Sequence, residues 1–355
     1  TKNSFNTDSI NRTKIMDVTL LAIESSCDDT SAAVLKNEYL FSNVISGQQV
    51  HQNYGGVVPE LASRAHQQHI VPVVDQALRK AGIPKDQIDA VAFTQGPGLL
   101  GSLLVGTSFA KAFALAQNIP LIGVNHLQAH ILSHFIRNPE SKYHRLPAFP
   151  FLCLLVSGGH TQLTVVRDYL DMEVIGETID DAAGEAFDKC GKIMNMPYPA
   201  GPAIDREAQK GDPHAFQFTR PKIDALNYSF SGLKTAFLYF LRDRLTQDSN
   251  FLQNRFRDLC ASLQYTIVDI LMHKLIKASE STGIKEIAIA GGVAANSGLK
   301  NAINQAAKDY NWNVYIPPLE YTMDNAAMIG IAGYYKYRKK AFNDLNAVPY
   351  ARFKY

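Results

Sequence analysis

The sequence has few cysteines, and spacing pairs none of them. Cys27, Cys153, Cys190 and Cys260 form no C-x-x-C motif. That excludes the common zinc-ribbon and dithiol patterns and reads as reduced thiols in a cytosolic protein. No apolar run reaches the roughly 18 residues of a membrane span, so none is expected. Neither charge sign dominates: 35 Lys and Arg stand against 33 Asp and Glu, a net +2, and the isoelectric point is near 8.2. This is not a protein that holds nucleic acid by charge alone; phosphate contacts have to come from a local patch or a partner. Two of the glycine-rich loops each lack a signature. "TQGPGLLGSLLVG" (94–106) does not end in the Lys-Ser/Thr of a P-loop, which removes the Walker reading there, and "IAGGVAANSGL" (289–299) is not G-x-G-x-x-G, which removes the dinucleotide-binding reading there.

What is present is an ordinary globular composition, 46% hydrophobic and 19% charged over 355 residues, long enough for two lobes. Residues 1–16 are polar and lack the apolar core of a secretory signal. Met16 reads as an alternative start, and the Ser/Thr content leaves a transit peptide as the other reading. "VTLLAIESSCDDTSAAVL" (18–35) and "FPFLCLLVSGGHTQLTVV" (149–166) each read as strand, polar turn, strand, which suggests an internal duplication. The stretches 88–126 and 284–319 each read as strand, Gly-rich loop, helix of period near 3.6, strand. Strands alternating with helices argue for an α/β fold. A final helix is expected from about Asp324 to Lys340, acidic at its start and basic at its end. With a Pro-containing boundary near 138–150, the chain divides into a polar extension (1–16), an N-terminal lobe (17–145) and a C-terminal lobe (146–355), whose last helix packs near the lobe interface. The irregular stretch 210–237 is long enough to be functional.

"NHLQAH" places His126 and His130 four apart, on one helix face after a strand. H-E-x-x-H proteolysis needs a glutamate after the first histidine, and Leu127 stands there. The remaining readings are a metal pair or two ordinary helical histidines. A metal needs a third ligand from elsewhere. Asp324 in "YTMDNAAMIG" is the candidate, although it also reads simply as a helix N-cap. Two histidines and a carboxylate with open positions suit Fe²⁺ or Zn²⁺. In "VSGGHTQL", Ser157, Gly158 and Gly159 form either a nest for phosphate or carboxylate oxygens or a plain hairpin turn. "IAGGVAANSGL" lets a ligand approach the backbone, with Asn296 at its edge. "ESSCDDT" sets Glu24, Asp28 and Asp29 in an acidic turn that orients a proton or a metal-bound phosphate, or is merely solvated. In "IDDAAGEAFDK", Asp180 is expected to cap a helix on which Glu185 and Asp188 share a face.

These segments, with "GGVVPELASRAHQQHI", "TQGPGLLGSLLVG", "DDAAGEAFDK" and "FSGLKTA", occur in an order that resembles the bacterial TsaD family across about residues 18–340. The resemblance implies the two-lobed actin-like ATPase (ASKHA) fold with a ligand cleft between duplicated lobes. It implies transfer of threonylcarbamoyl from threonylcarbamoyl-AMP to the exocyclic N6 of adenosine 37 in tRNAs reading codons that begin with adenine. It places metal ligands at His126, His130 and Asp324. It places substrate contacts at Leu155, Val156, Ser157, Gly158, Gly159, Asp188, Gly201, Asp205 and Asn296. Glu24 or Asp28 is expected to help deprotonate the amine. The implied partners are tRNA, a TsaB-like paralogue and a TsaE-like ATPase, with a TsaC-type synthase supplying the adenylate and no membrane involved. Lys210, Arg220, Lys222 and Lys234 mark a candidate tRNA-facing region. An ASKHA metabolite kinase and a metalloprotease are the competing readings.

Overall fold

The computed structural model describes residues 17–48, 51, 54–139, 145–221 and 223–352. The 1–16 extension and Lys222 lie outside the described residues. The first half contains β1 (Thr19–Glu24), β2 (Thr30–Lys36), β3 (Tyr39–Ser46), α1 (Pro59–Ala81), β4 (Ala90–Gly96), α2 (Leu100–Gln117), β5 (Leu121–Asn125) and α3 (His126–Leu132). The second contains β6 (Phe151–Val156), β7 (Thr161–Asp168), β8 (Asp171–Glu177), α4 (Ala183–Ile193), α5 (Gly201–Ala208), α6 (Ser231–Gln247), α7 (Phe251–Asn254), α8 (Phe256–Thr282), β9 (Glu286–Ala290), α9 (Ser297–Tyr310), β10 (Asn313–Tyr315) and α10 (Ala326–Arg338).

Each half forms one five-stranded sheet, in the orders β3-β2-β1-β4-β5 and β10-β9-β6-β7-β8. Read from the other edge, the second order repeats the first strand for strand. In both, an antiparallel hairpin (β1–β2, β6–β7) joins parallel neighbours through its first strand. β1 and β6 are buried along their whole length, as continuous apolar runs covered on both faces should be. Helices stop where a left-handed residue is available: Gly82 after α1 and Gly283 after α8, Asn118 after α2 and Asn311 after α9.

The last helix leaves the second sheet and packs on the first. A Cβ at Gly330 would fall 2.2 Å from Leu35, and one at Gly333 would fall 2.5 Å from Ala92, so these glycines let α10 lie close on the strands. The helix starts later than expected. Asn325, not Asp324, is its N-cap and accepts from Met328 N at 3.0 Å. Asp180 also differs from expectation. It does not cap α4; it accepts from Ser229, Phe230 and Ser231 and holds the start of α6. Because α6 begins at Ser231, the irregular stretch is shorter than 210–237.

Among the described residues two helices, Leu100–Gln117 and Phe256–Thr282, are long and apolar enough to cross a membrane by length and composition, although no single run in the sequence is uniformly apolar. The second is a core helix, 78% buried over its most apolar window. The first shows Leu100, Leu104 and Leu115 to solvent.

Candidate functional site

α3 begins directly where β5 ends, and Asn125 fixes that junction. Its side-chain oxygen accepts from Leu127 N at 2.9 Å and Gln128 N at 3.1 Å. The cap directs His126 and His130 inward, 6% and 1% exposed. Leu127, in the place of a protease glutamate, is packed in the apolar core. Asp324 arrives from the segment that links β10 to α10, and Ser31 on β2 anchors that segment by accepting from Ala326 N at 2.9 Å. The Asp324 Oδ1 atom then lies 3.1 Å from His130 Nε2 and 3.4 Å from His126 Nε2. These three side chains form the potential metal-holding cluster of three or more among the described residues.

Glu24, at the end of β1, has no exposed surface. Its carboxylate accepts from Ser26 N and Thr94 Oγ1 and stands 3.1 Å from His126 Nδ1. Both oxygens are engaged, so the geometry makes Glu24 a support for His126 rather than a free base facing a substrate. With the Nδ1 proton given to Glu24, a neutral His126 turns its Nε2 lone pair toward the Asp324 carboxylate. Two electron-rich atoms facing each other call for a proton or a cation between them. Carboxylate–histidine–metal arrangements have this form. The electrostatics agree. Burial opposes a charged imidazole, yet Asp324 and Glu24 together raise the His126 pKa. Burial also opposes the Asp324 charge, but His126 and His130 hold that carboxyl well below the usual carboxylate range. The donor set of two imidazoles and one carboxylate therefore fits one divalent metal.

The second lobe brings the glycine turn to this cluster. His160 closes the turn, donating its N–H to Ser157 Oγ at 3.1 Å, while Ser157 N donates to His160 O at 2.8 Å. Burial first, and then the nearby His126 and His130, lower the His160 pKa to about 4. Cβ atoms built at Gly158 and Gly159 would meet nothing within 4 Å. Neither packing nor backbone conformation within the chain requires glycine at these positions, which leaves the turn open to the close approach of a ligand. Leu155 and Val156 are fully buried in β6, backbone included, so they lead into the turn, whose Ser157, Gly158 and Gly159 are the part open to a ligand.

Further along, Asp188 accepts from Ala200 N at 2.7 Å at the start of α5, beside Gly201. Asp188, Tyr198 and Ala200 line a cavity of about 320 Å³ that Gly55 closes from the first lobe. Asp205 accepts from Ser297 N at 3.0 Å and Ser297 Oγ at 2.6 Å. Asn296 caps α9 through Leu299 N and donates to Gln264 at 2.8 Å, which occupies both ends of its amide.

In the acidic turn, burial and then the charges of Asp28, Asp324 and Glu24 raise Asp29 to about 7. Asp28 in turn contributes to the raised pKa of Tyr198, after burial and Asp188, so the turn faces the second lobe's cavity. The sequence names Asp29 only as one member of the acidic turn, behind Glu24 and Asp28 as candidate base, and does not point to His160. Both sit inside motifs already noted, but their roles depend on what the other lobe brings to them.

In the proposed tRNA-facing stretch, Lys210 pairs with Glu207 and Arg220 with Asp269. Lys234 lies exposed on α6.

A two-lobed α/β protein with a buried histidine–histidine–carboxylate cluster between duplicated sheets is the class defined so far. Its fold is that of the actin-like ATPases. Component A of the Acidaminococcus fermentans (R)-2-hydroxyglutaryl-CoA dehydratase superposes with a TM-score of 0.52 at 15% identity, covering 91% of this chain and 99% of that one. HypF of T. kodakarensis superposes with a TM-score of 0.56 at 14% identity, covering 91% of this chain and 48% of that one.

The family profile described as TsaD, tRNA N6-adenosine threonylcarbamoyltransferase, matches residues 38–331. The enzyme of that name from Porphyromonas gingivalis (strain ATCC BAA-308 / W83) is 60% identical over 337 residues, 95% of this chain and 98% of the relative. The one from Phocaeicola vulgatus (strain ATCC 8482) is 61% identical over 337 residues, 95% of this chain and 99% of the relative. The chain belongs to the TsaD family.

Proposed function

We propose that this chain transfers threonylcarbamoyl from threonylcarbamoyl-AMP to N6 of adenosine 37 in tRNAs that read codons beginning with adenine, releasing AMP. The observation that carries this is the facing of the His126–His130–Asp324 cluster and the open Gly158–Gly159 turn, in a chain of this family. The donor is a mixed anhydride with a good leaving group, and the acceptor amine is a poor nucleophile. Positioning and charge stabilisation are therefore what the protein must supply.

His126, His130 and Asp324 would hold one divalent metal, Fe²⁺ in preference to Zn²⁺, with Glu24 orienting His126. Such a metal would supply Lewis-acid stabilisation of the charge that develops in the reaction. The Ser157–Gly159 turn cradles the adenylate phosphate, with the buried Leu155 and Val156 setting its position from β6. Asp188, Gly201, Asp205 and Asn296 shape the nucleoside side, Asp188 by holding the α5 entry and Asp205 and Asn296 by holding the α9 entry in place. The amine lone pair attacks the carbamoyl carbon, and the carbon–oxygen bond to phosphate breaks. AMP leaves with that electron pair. Asp29 takes the amine proton in place of Glu24, whose oxygens are occupied; Asp28, beside it in the turn, is the weaker candidate for that proton.

tRNA docks along the Lys210, Arg220, Lys222 and Lys234 stretch. A TsaB-like paralogue and a TsaE-like ATPase complete the assembly in the cytoplasm, and a TsaC-type synthase supplies the adenylate. The test is transfer from preformed adenylate to unmodified tRNA by purified protein, with and without both partners, read by mass spectrometry of the nucleosides. No threonylcarbamoyladenosine under any condition would refute the assignment. Asp324→Ala and His126→Ala are expected to abolish both bound metal and transfer.

A further inference from the structure

His66 is fully buried on α1, outside the chemistry described above. One ring nitrogen, Nδ1, lies 2.7 Å from Thr30 Oγ1, and the other, Nε2, lies 3.0 Å from the Cys27 carbonyl. A carbonyl only accepts, so Nε2 carries the proton and Nδ1 accepts from the threonine hydroxyl. Burial lowers the pKa of this imidazole, which agrees with its neutral form. The two bonds fall on either side of Asp28 and Asp29. From the opposite side, Ser102 on α2 donates to the same Cys27 carbonyl at 3.1 Å, and Ser25 donates to the Ser102 carbonyl at 3.0 Å. The acidic turn is thus pinned from behind by two helices. Among the described residues the Asp28 side chain is held only by the Cys27 thiol, inside the turn itself, and nothing outside the turn anchors either carboxylate by a hydrogen bond, so their direction follows the backbone that His66 grips.

We propose that His66 is a positioning residue for the transfer reaction: it bridges Cys27 and Thr30 so that the Asp28–Asp29 turn presents its carboxylates to the cleft. The proposal rests on the function proposed above. It adds that α1 reaches the reacting groups through one neutral imidazole, although α1 contributes no residue to the metal cluster. Loss of the bridge lets the turn relax while the metal cluster and the adenylate cradle stay in place. The defect should therefore appear in kcat rather than in KM or metal content.

Three variants of the full chain test this: His66→Leu, His66→Gln and Thr30→Val. His66→Leu should lose about 10²-fold in kcat, the scale of a misplaced reacting group. KM for the adenylate should stay within about threefold and metal content should match wild type. Amide exchange should quicken at residues 27–30 while the rest of α1 and β2 keeps its protection. His66→Gln retains a donor for the Cys27 carbonyl and should recover part of the loss. Thr30→Val removes one hydrogen bond with little change of shape, should cost about tenfold, and stands in if His66→Leu does not fold. Unchanged exchange of the turn in the folded variants would overturn the proposal, as would wild-type kcat or a parallel loss of metal. The exchange arm needs no catalysis, so it still decides the positioning claim if the wild-type chain transfers nothing, a result that would refute only the functional reading.

Discussion

Replacing Asp29 by asparagine should make the metal-free protein more stable and the enzyme slower. The carboxyl is raised from 3.8 to about 7 by burial and by Asp28, Asp324 and Glu24. At pH 8 the folded chain therefore carries a charge that its surroundings disfavour. A raised carboxyl pKa means that the folded state binds this proton more tightly than the unfolded chain does, so its contribution to stability falls as pH rises from about 4 to about 7. Three pH units at 1.36 kcal/mol each set a ceiling of about 4 kcal/mol. The turn borders a cleft, where hydration and relaxation reduce this to about 1–2 kcal/mol. Asparagine keeps the shape and never ionises. Urea unfolding of chelator-treated wild type and Asp29→Asn should show the variant ahead by that amount at pH 8, by less at pH 5, and by almost nothing below the unfolded-state pKa of about 4. The other titrating groups cancel in the difference. A metal at the neighbouring cluster would stabilise the carboxylate and shrink the gain. Transfer should fall about 10²-fold, the usual contribution of a positioned base. A variant that is no more stable at pH 8 than at pH 5, relative to wild type, would refute the reasoning that Asp29 is held under electrostatic strain.

Glu24→Gln keeps its size but removes the charge behind His126; metal affinity should fall about 10–100-fold, read by metal titration, with folding retained. Gly159→Ala places a methyl where the chain itself has open space. Its unfolding midpoint should hardly move, within about 0.5 kcal/mol, while KM for the adenylate rises. Asp180→Ala removes the acceptor that Phe230 and Ser231 share at the start of α6, and should cost about 1–2 kcal/mol of stability in denaturant unfolding. Chelation should abolish transfer, and readdition of Fe²⁺ or Zn²⁺ should restore it.

The parts of the fold legible in the sequence were those with local causes. Both hairpins, the strand–loop–helix–strand repeats and the duplication follow from apolar runs broken by polar or glycine turns. The errors arose where one side chain serves a distant segment. Asp180 looks like a cap for the helix just after it, because a cap is normally supplied locally. Its partners, Ser229 to Ser231, are about 50 residues further on. Asp324 likewise looks like the cap of the last helix, but the next residue does that work and frees Asp324 for the histidines. Glu24 and Asp29 share one turn and differ in role only because Thr94 and His126 consume the first. No periodicity records that difference.

The position of Asp324 also explains why the proposed metal site cannot be inferred from its histidines alone. His126 and His130 come from the end of β5 in the first sheet, and the carboxylate 194 residues later comes from the chain's return path out of the second. That return path ends in α10, which packs on the first sheet. The proposed third ligand is therefore tethered to the first lobe at Ser31 and to the second through β10. His134, four residues after His130, donates across the same boundary to the Ile289 carbonyl at 2.9 Å. A site built this way is complete only when both sheets are folded and in contact, and the glycine turn that faces it belongs to the second sheet. The duplication read from the sequence is what makes such a site possible: two equivalent sheets, each presenting the loops at its strand ends, supply opposite walls of one cleft.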